Sequence, residues 1–310
     1  MDTFIQLTVN GLTLGSVYAL IALGYTLVYG ILKLLNFAHG DVFMVGSFIG
    51  FGTLQALGGA TDPVVPVWLL LVTVTAAAMA GCALLGVAIE RFAYRPLRDA
   101  PRIAPLISAL GVSFFLANSM QLLFGARQRD YDIFSLSNGD LYLKGLDIGN
   151  VKVPLLRLIV IASAFVLMVV LWLLVTRTRT GKAMRATSFD REAAAMMGID
   201  IDRVIVFTFV LGSALAGAAG VMYSLRVPTS ASVGFLVGLK GFTAAVIGGI
   251  GSIPGAMAGG LALGFAEGYL QGYLPPEWAR WSDLFVFVIL ILFMLFRPQG
   301  LFGRPDIKKV

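Results

Sequence analysis

Nine apolar runs divide this chain, near residues 4–32, 41–58, 66–90, 103–124, 157–176, 204–225, 233–251, 255–273 and 283–297. Their length limits the fold more than any other feature, because about 20 apolar residues in a helix match the hydrocarbon thickness of a bilayer. The expected fold class is therefore all-α: a polytopic integral membrane helical bundle of about eight or nine transmembrane segments. Eight full crossings with one re-entrant segment is the alternative to nine. Composition agrees, since 58% of the 310 residues are hydrophobic and 13% are charged. A soluble domain would need far more polar surface to cover its core.

The same composition removes several chemistries. One histidine (His39) and one cysteine (Cys82) exclude a His/Cys metal cluster and an intrachain disulfide. No G-x-x-x-x-G-K-[ST] phosphate loop occurs, and "GGIGSIPG" (Gly248 to Gly255) lacks the lysine and the third glycine of a nucleotide fingerprint. No metal and no cofactor is expected on this chain, and an intramembrane enzyme finds little here for acid–base work. The net charge of +6 lies in loops between the runs, the pattern of membrane topology rather than of a nucleic-acid patch, so membrane lipid and not nucleic acid is the expected surrounding.

Lys and Arg set the orientation. With the N-terminus outside, the inner loops collect Lys33, Arg91, Arg95, Arg98, Arg102, Arg177, Arg179, Lys182, Arg185, Arg191, Arg203, Arg297, Arg304, Lys308 and Lys309, which is 15 of the 23 basic residues. That excess predicts N-out and C-in. No small-residue cleavage site follows the first run, so Met1 to Leu32 is expected to remain as a span. Residues 1–310 read as a single transmembrane domain with a cytoplasmic loop at 177–203 and an external loop at 125–156.

The cytoplasmic loop contains "REAAAMMGI" (Arg191 to Ile199). Asp190 can cap a helix there, Glu192 falls in its first turn, and Gly198 supplies a left-handed stop. About two turns are too short to be stable alone in water. Ala193, Ala194 and Met197 are expected on one side, forming a small apolar knob that docks on another protein; the alternative is a loop helix lying against its own bundle.

These residues resemble a known signature. Glu192-Ala193-Ala194, three residues and Gly198 match the "EAA…G" segment of ABC importer permeases, although Thr208, Val210 and Leu211 stand where that pattern continues to leucine-proline. "GLTLGSVYALIALGYTLVYGILKLLNFAHGDVFMVGSF" (Gly11 to Phe48), "GLKGFTAAVIGGIGSIPGAMAGGLALG" (Gly238 to Gly264) and the tail "LFRPQGLFG" resemble branched-chain amino-acid permeases of the LivH type along most of the chain. The resemblance implies a multi-pass permease in the bacterial inner membrane, one half of a heterodimer with a second permease subunit. It implies two ATP-binding subunits, which use the ATP, and a periplasmic substrate-binding protein. The helix Asp190, Arg191, Glu192, Ala193, Ala194, Met197, Gly198 would then couple to the ATPase. Leucine, isoleucine and valine are the implied substrates; urea or short amides, or an ion-coupled secondary amino-acid transporter, are the alternatives.

Polar insertions interrupt the apolar runs. "NFAHGD" places Asn36, His39, Gly40 and Asp41 at the inner membrane face, either as a broken-helix element of the translocation path or gate, or as a hairpin turn with Asp41 capping the next helix. Gly249, Gly251 and Ser252 are its expected counterpart in the second half, because setting Gly40 on Pro254 aligns Gly46 with Gly260 and Gly50 with Gly264. Gly260, Gly264, Gly268 and Gly272 recur every four residues and predict a face for close helix packing, within the bundle or at the partner interface. Glu267 beside that stripe needs an interior partner, for which Lys240 is the candidate. Asn118 and Gln121 are expected to hydrogen-bond between helices.

Overall fold

The computed structural model describes residues 2–59, 65–98, 100–101, 103–137, 139–149, 151–297 and 299–303. Of the residues used above, Met1, Arg102, Pro298, Arg304, Lys308 and Lys309 lie outside the described residues.

Each apolar run folds as a helix: α1 (Asp2–Leu32), α2 (His39–Ala56), α3 (Val67–Ile89) and α4 (Ile103–Phe124). The external loop follows, with α5 (Ile133–Leu136), α6 (Asp140–Leu143) and an antiparallel hairpin of β1 (Gly145–Ile148) and β2 (Val151–Pro154), in register Gly145↔Pro154 to Ile148↔Val151. This hairpin is the one sheet among the described residues, beside an isolated antiparallel bridge between Arg129 and Thr229. Then come α7 (Leu155–Arg177), α8 (Arg179–Phe189), α9 (Arg191–Met196), α10 (Ile201–Ser224), α11 (Val233–Gly248), α12 (Ile253–Tyr273), α13 (Pro276–Ala279) and α14 (Ser282–Phe296). Five helices are long and apolar enough to cross a membrane: α1, α3 with its extension to Leu97, α4, α7 and α10.

α1 and α10 are buried over most of their length, whereas most residues of α3, α4 and α7 are only partly buried or exposed. The two central helices run antiparallel, and α1–α2–α3 is matched by α10–α11–α12. α1 packs on α12 as α10 packs on α3; α2 leans on α10 and α11 on α1. Such an inverted-topology repeat places two similar units about an axis in the membrane plane.

Small residues make these pairings possible. A Cβ on Gly264 would collide with the Gly15 backbone, and Gly260, Gly268 and Gly272 meet Ala19, Gly11 and Leu7. The glycine stripe of α12 therefore zips onto a matching four-residue stripe of α1 inside this chain, letting two backbones approach with no side chain between them. Across the molecule Ala78, Cys82 and Gly86 of α3 do the same for Gly217 and Ser213 of α10.

Candidate functional site

The segment Lys33–Ala38 links α1 to α2. It turns back into the bundle and α2 begins at His39, beside Gly24 of α1 and close to Gly212 of α10. Gly24 lies eight residues before Leu32, so His39 sits about 12 Å inside the end of α1 at 1.5 Å per residue. Asn36, His39 and Asp41, expected at the inner membrane face, are all buried within the bundle, at 3%, 1% and 2% exposure. The hairpin alternative fails on its capping detail as well. The residue preceding the helix is Ala38, which has no side-chain cap, and the Asn36 carboxamide oxygen accepts from the Ala38 N–H (3.2 Å) to form the turn.

α11 starts in the same way from the other side, at Val233 after the re-entrant stretch 225–232, and the two half-helices cross at their first turns. A Cβ on Gly40 would strike the Gly234 carbonyl and lie 2.7 Å from the Gly238 Cα. Asp41 fills the space between the two N-termini, where negative charge is favoured by both helix dipoles, and accepts a short hydrogen bond from Ser113 of α4. His39 packs edge-on to Tyr25 at 4.7 Å, and its Nε2 has no hydrogen-bond partner among the described residues.

Gly249, Gly251 and Ser252 are not part of this crossing. Ser252 caps α12, accepting from the Gly255 N–H at 3.2 Å. Gly249 is covered by the tail, whose Leu301 and Phe302 N–H groups donate to Ile247 and Gly248 at 2.8 and 3.0 Å. Eleven residues of α11 separate Gly238 from Gly249, about 16 Å along the helix. The counterpart of Gly40 is Gly234, not Pro254. The pairing with Pro254 matched glycine spacing within helices, whereas the repeat is carried by the polar breaks that precede them: "NFAHGD" and "TSASVG".

Beyond the crossing lies a buried ionic cluster. Lys240 Nζ donates to Glu267 (2.8 Å) and to Asp283 of α14 (2.7 Å), while Tyr18 and Gln271 donate to the Glu267 carboxylate at 2.8 and 3.0 Å. Lys240 was legible as the partner; Tyr18 and Asp283, on other helices, were not. Asn118 bonds to the Phe114 carbonyl of its own helix rather than across to another, and Gln121 is exposed.

At the Lys/Arg-rich end, α8 and α9 form a capped pair. Thr178, Asp190 and Asp200 each accept a backbone N–H three residues on, from Gly181, Ala193 and Arg203. Gly198 closes α9 at φ +81, with the Ile199 N–H returning to the Ala194 carbonyl (3.1 Å), the six-to-one bond of a Schellman stop. Arg191 ties the helix to the end of α1: its Nε and Nη2 donate to the Ile31 carbonyl at 3.1 and 2.5 Å. The face differs from the expectation. Ala194 turns inward, and the exposed apolar side is made by Met196, Met197 and, from α8, Phe189, all more than 80% exposed, with Ala193 between them. Met196 and Phe189 were not singled out from the sequence: Met196 ends the helix that was expected, and Phe189 ends a second helix, α8, that was not. Glu192 is exposed at the first turn.

A central helix pair flanked by inverted half-helices, with a capped helical elbow at the basic end, makes a polytopic helical bundle of the kind a membrane permease needs. The chain belongs to the family described as branched-chain amino acid transport system / permease component, which matches residues 7–294. It is 42% identical to the high-affinity branched-chain amino acid transport system permease protein BraD of Pseudomonas aeruginosa, over 99% of this chain and 98% of that protein. It is equally similar, at 42% and the same coverage, to the permease protein LivH of Escherichia coli K12. A more distant likeness, 26% identity over 97% of this chain and 72% of the other, is to the permease protein LivM of the same organism. Like its family, this is a polytopic helical membrane protein.

Proposed function

We propose that this chain is a transmembrane subunit of an ATP-driven importer that moves leucine, isoleucine and valine across the bacterial inner membrane. It works beside a second permease subunit, with two ATPase subunits on the cytoplasmic side and a periplasmic binding protein outside. ATP is bound and hydrolysed on the ATPase chains. What carries this reading, beyond the family, is the elbow of α8 and α9: an exposed Phe189–Met196–Met197 face whose far side is bolted to α1 through Arg191.

That attachment makes a mechanism. A push on α9 is delivered to the C-terminal end of the most buried helix, and α1 is zipped to α12, so the two move as one body. The half-helix crossing at Gly40 and Gly234 lies where such a movement shears one repeat against the other. Close glycine contacts there allow sliding without displacing side chains. Selectivity rests with the binding protein, so the passage needs no dense set of charged ligands, and Lys240 and Glu267 are already committed to each other and to Asp283.

The test is uptake of radiolabelled leucine in cells carrying the full system, comparing the native protein with Met196→Asp/Met197→Asp and with Glu192→Arg and Gly198→Trp. Apolar anchors at an interface contribute about 2 kcal/mol or more, roughly 30-fold in affinity. The variants should insert at normal abundance yet lose ATPase copurification and uptake. Uptake that persists after the ATPase is deleted would sink the assignment.

A further inference from the structure

A cleft of about 270 Å³ opens at the basic end of the bundle, between the end of α1, the turn leading into α4, and the start of α9; Leu32, Lys33, Arg98, Pro105 and Arg191 line it. Its three cations are not equally compensated. Arg98 is paired with Glu90 and Asp202, the latter shared with Arg95. Arg191 spends its guanidinium on a neutral carbonyl. Lys33 is exposed, 5.9 Å above the Tyr29 ring, and has no carboxylate partner among the described residues. Two positive charges thus face one cleft without a matching anion among the described residues.

Lys33 is also in an unfavourable backbone state. At φ +56 it ends α1 in the left-handed region, where a side chain costs free energy that glycine would avoid. Strain kept at a position whose side chain reaches a cleft points to use of that side chain. Burial and neighbouring Arg98 both hold the Arg191 guanidinium below its ordinary pKa, an unfavourable setting for its charge that a bound anion would relieve. Pro105 brings the first turns of α4 to the cleft wall, adding the positive end of a helix dipole.

We propose that this cleft binds a phosphate group through Lys33 and Arg191, presented by the headgroup of an anionic phospholipid of the inner leaflet or as free phosphate. The cleft lies at the C-terminal end of the apolar helix α1, and basic pockets between helices on the cytoplasmic side suit such headgroups. Because Arg191 also fixes α9 to α1, an occupied cleft would stiffen that joint; this consequence rests on the coupling role proposed above, whereas the binding itself does not.

The experiment uses the purified full chain. Native mass spectrometry measures retention of phosphatidylglycerol against phosphatidylcholine, and thermal unfolding is followed with and without inorganic phosphate. Lys33→Gly removes the charge while suiting the backbone, so it should fold at least as well as the native chain. Lys144→Gln, an equal change of charge in the external loop, is the control. The native protein should prefer phosphatidylglycerol, Lys33→Gly should reduce that preference about fivefold, the value of one basic residue near an anionic surface, and Lys144→Gln should leave it alone. Preference for the lipid unaffected by phosphate identifies the headgroup as the source; a phosphate-induced stabilisation lost in Lys33→Gly, without lipid preference, identifies free phosphate. The proposal is overturned if the native chain responds to neither, or if Lys33→Gly behaves like the native protein. No outcome depends on transport, so failure here leaves the importer assignment standing.

Discussion

The pairs α1–α12 and α10–α3 occupy equivalent places in the inverted repeat but are built to different tolerances. In α1–α12 glycine faces glycine: a Cβ on Gly264 would overlap the Gly15 backbone, and one on Gly268 would lie 3.0 Å from the Gly11 Cα. In α10–α3 a single glycine of α10, Gly217, faces the Ala78 backbone and the Cys82 side chain, and Gly86 faces the Ser213 side chain and the Phe209 carbonyl. The first pair also carries the Lys240–Glu267 cluster, with Tyr18 of α1 and Glu267 of α12 joined directly at 2.8 Å, and it receives Arg191 from the elbow. In the second pair the Cys82 thiol of α3 donates weakly outside the pair, to the Val42 carbonyl of α2 at 3.4 Å. The difference implies a division of labour: α1–α12 is a rigid spine that takes the push, and α10–α3 is the surface that yields.

The largest effect should come from unbalancing the spine's charges. Lys240→Met leaves Glu267 buried without its cation and should cost about 3–5 kcal/mol, whereas Lys240→Met with Glu267→Leu should recover most of that loss, because breaking a buried pair costs more than replacing it. Thermal unfolding of the purified protein measures both. If the double variant is no better than the single one, the cluster does something beyond balancing charge. Next in size, Gly264→Val should destabilise by about 3 kcal/mol, the upper range for overpacking, while Cys82→Ala, which removes one sulfur from the looser pair, should cost about 1 kcal/mol. Equal losses in the two would abolish the distinction between spine and yielding surface.

Much of this was readable from residue order. The apolar runs set every major helix to within a few residues, because span length and the need to satisfy backbone hydrogen bonds leave little choice. The glycine stripe of α12, the Lys240–Glu267 pair and the caps of α9 were visible because each is a local pattern or a costly residue type. Depth was not. Asn36 to Asp41 read as an inner turn because nothing in a six-residue polar segment says whether the chain turns outside the bundle or inside it. That is decided by Gly24, Gly212, Gly234 and Gly238, which lie on other helices and leave the space. Facing was misjudged on α9 for a similar reason: with two turns only, the side that turns inward is chosen by Arg191 reaching Ile31, a contact between residues 160 apart in the chain.

The smallest structural effect separates the push from the spine that receives it. Asp190 accepts the Ala193 N–H at 3.1 Å and so holds the first turn of a helix only six residues long. Asp190→Ala should cost about 1 kcal/mol locally, a loss that the melting of the whole bundle should scarcely register, since α9 contributes little to the core. A frayed α9, however, presents Met196 and Met197 in many orientations, and ordering them again must be met from the binding free energy. ATPase association and leucine uptake should therefore fall several-fold while thermal stability stays within about 0.5 kcal/mol of the native protein. Asp190→Asn, which keeps a capping oxygen, should restore both. If Asp190→Ala instead lowers the melting of the whole bundle as much as Gly264→Val does, the elbow belongs to the spine, and the push would have to enter the molecule elsewhere.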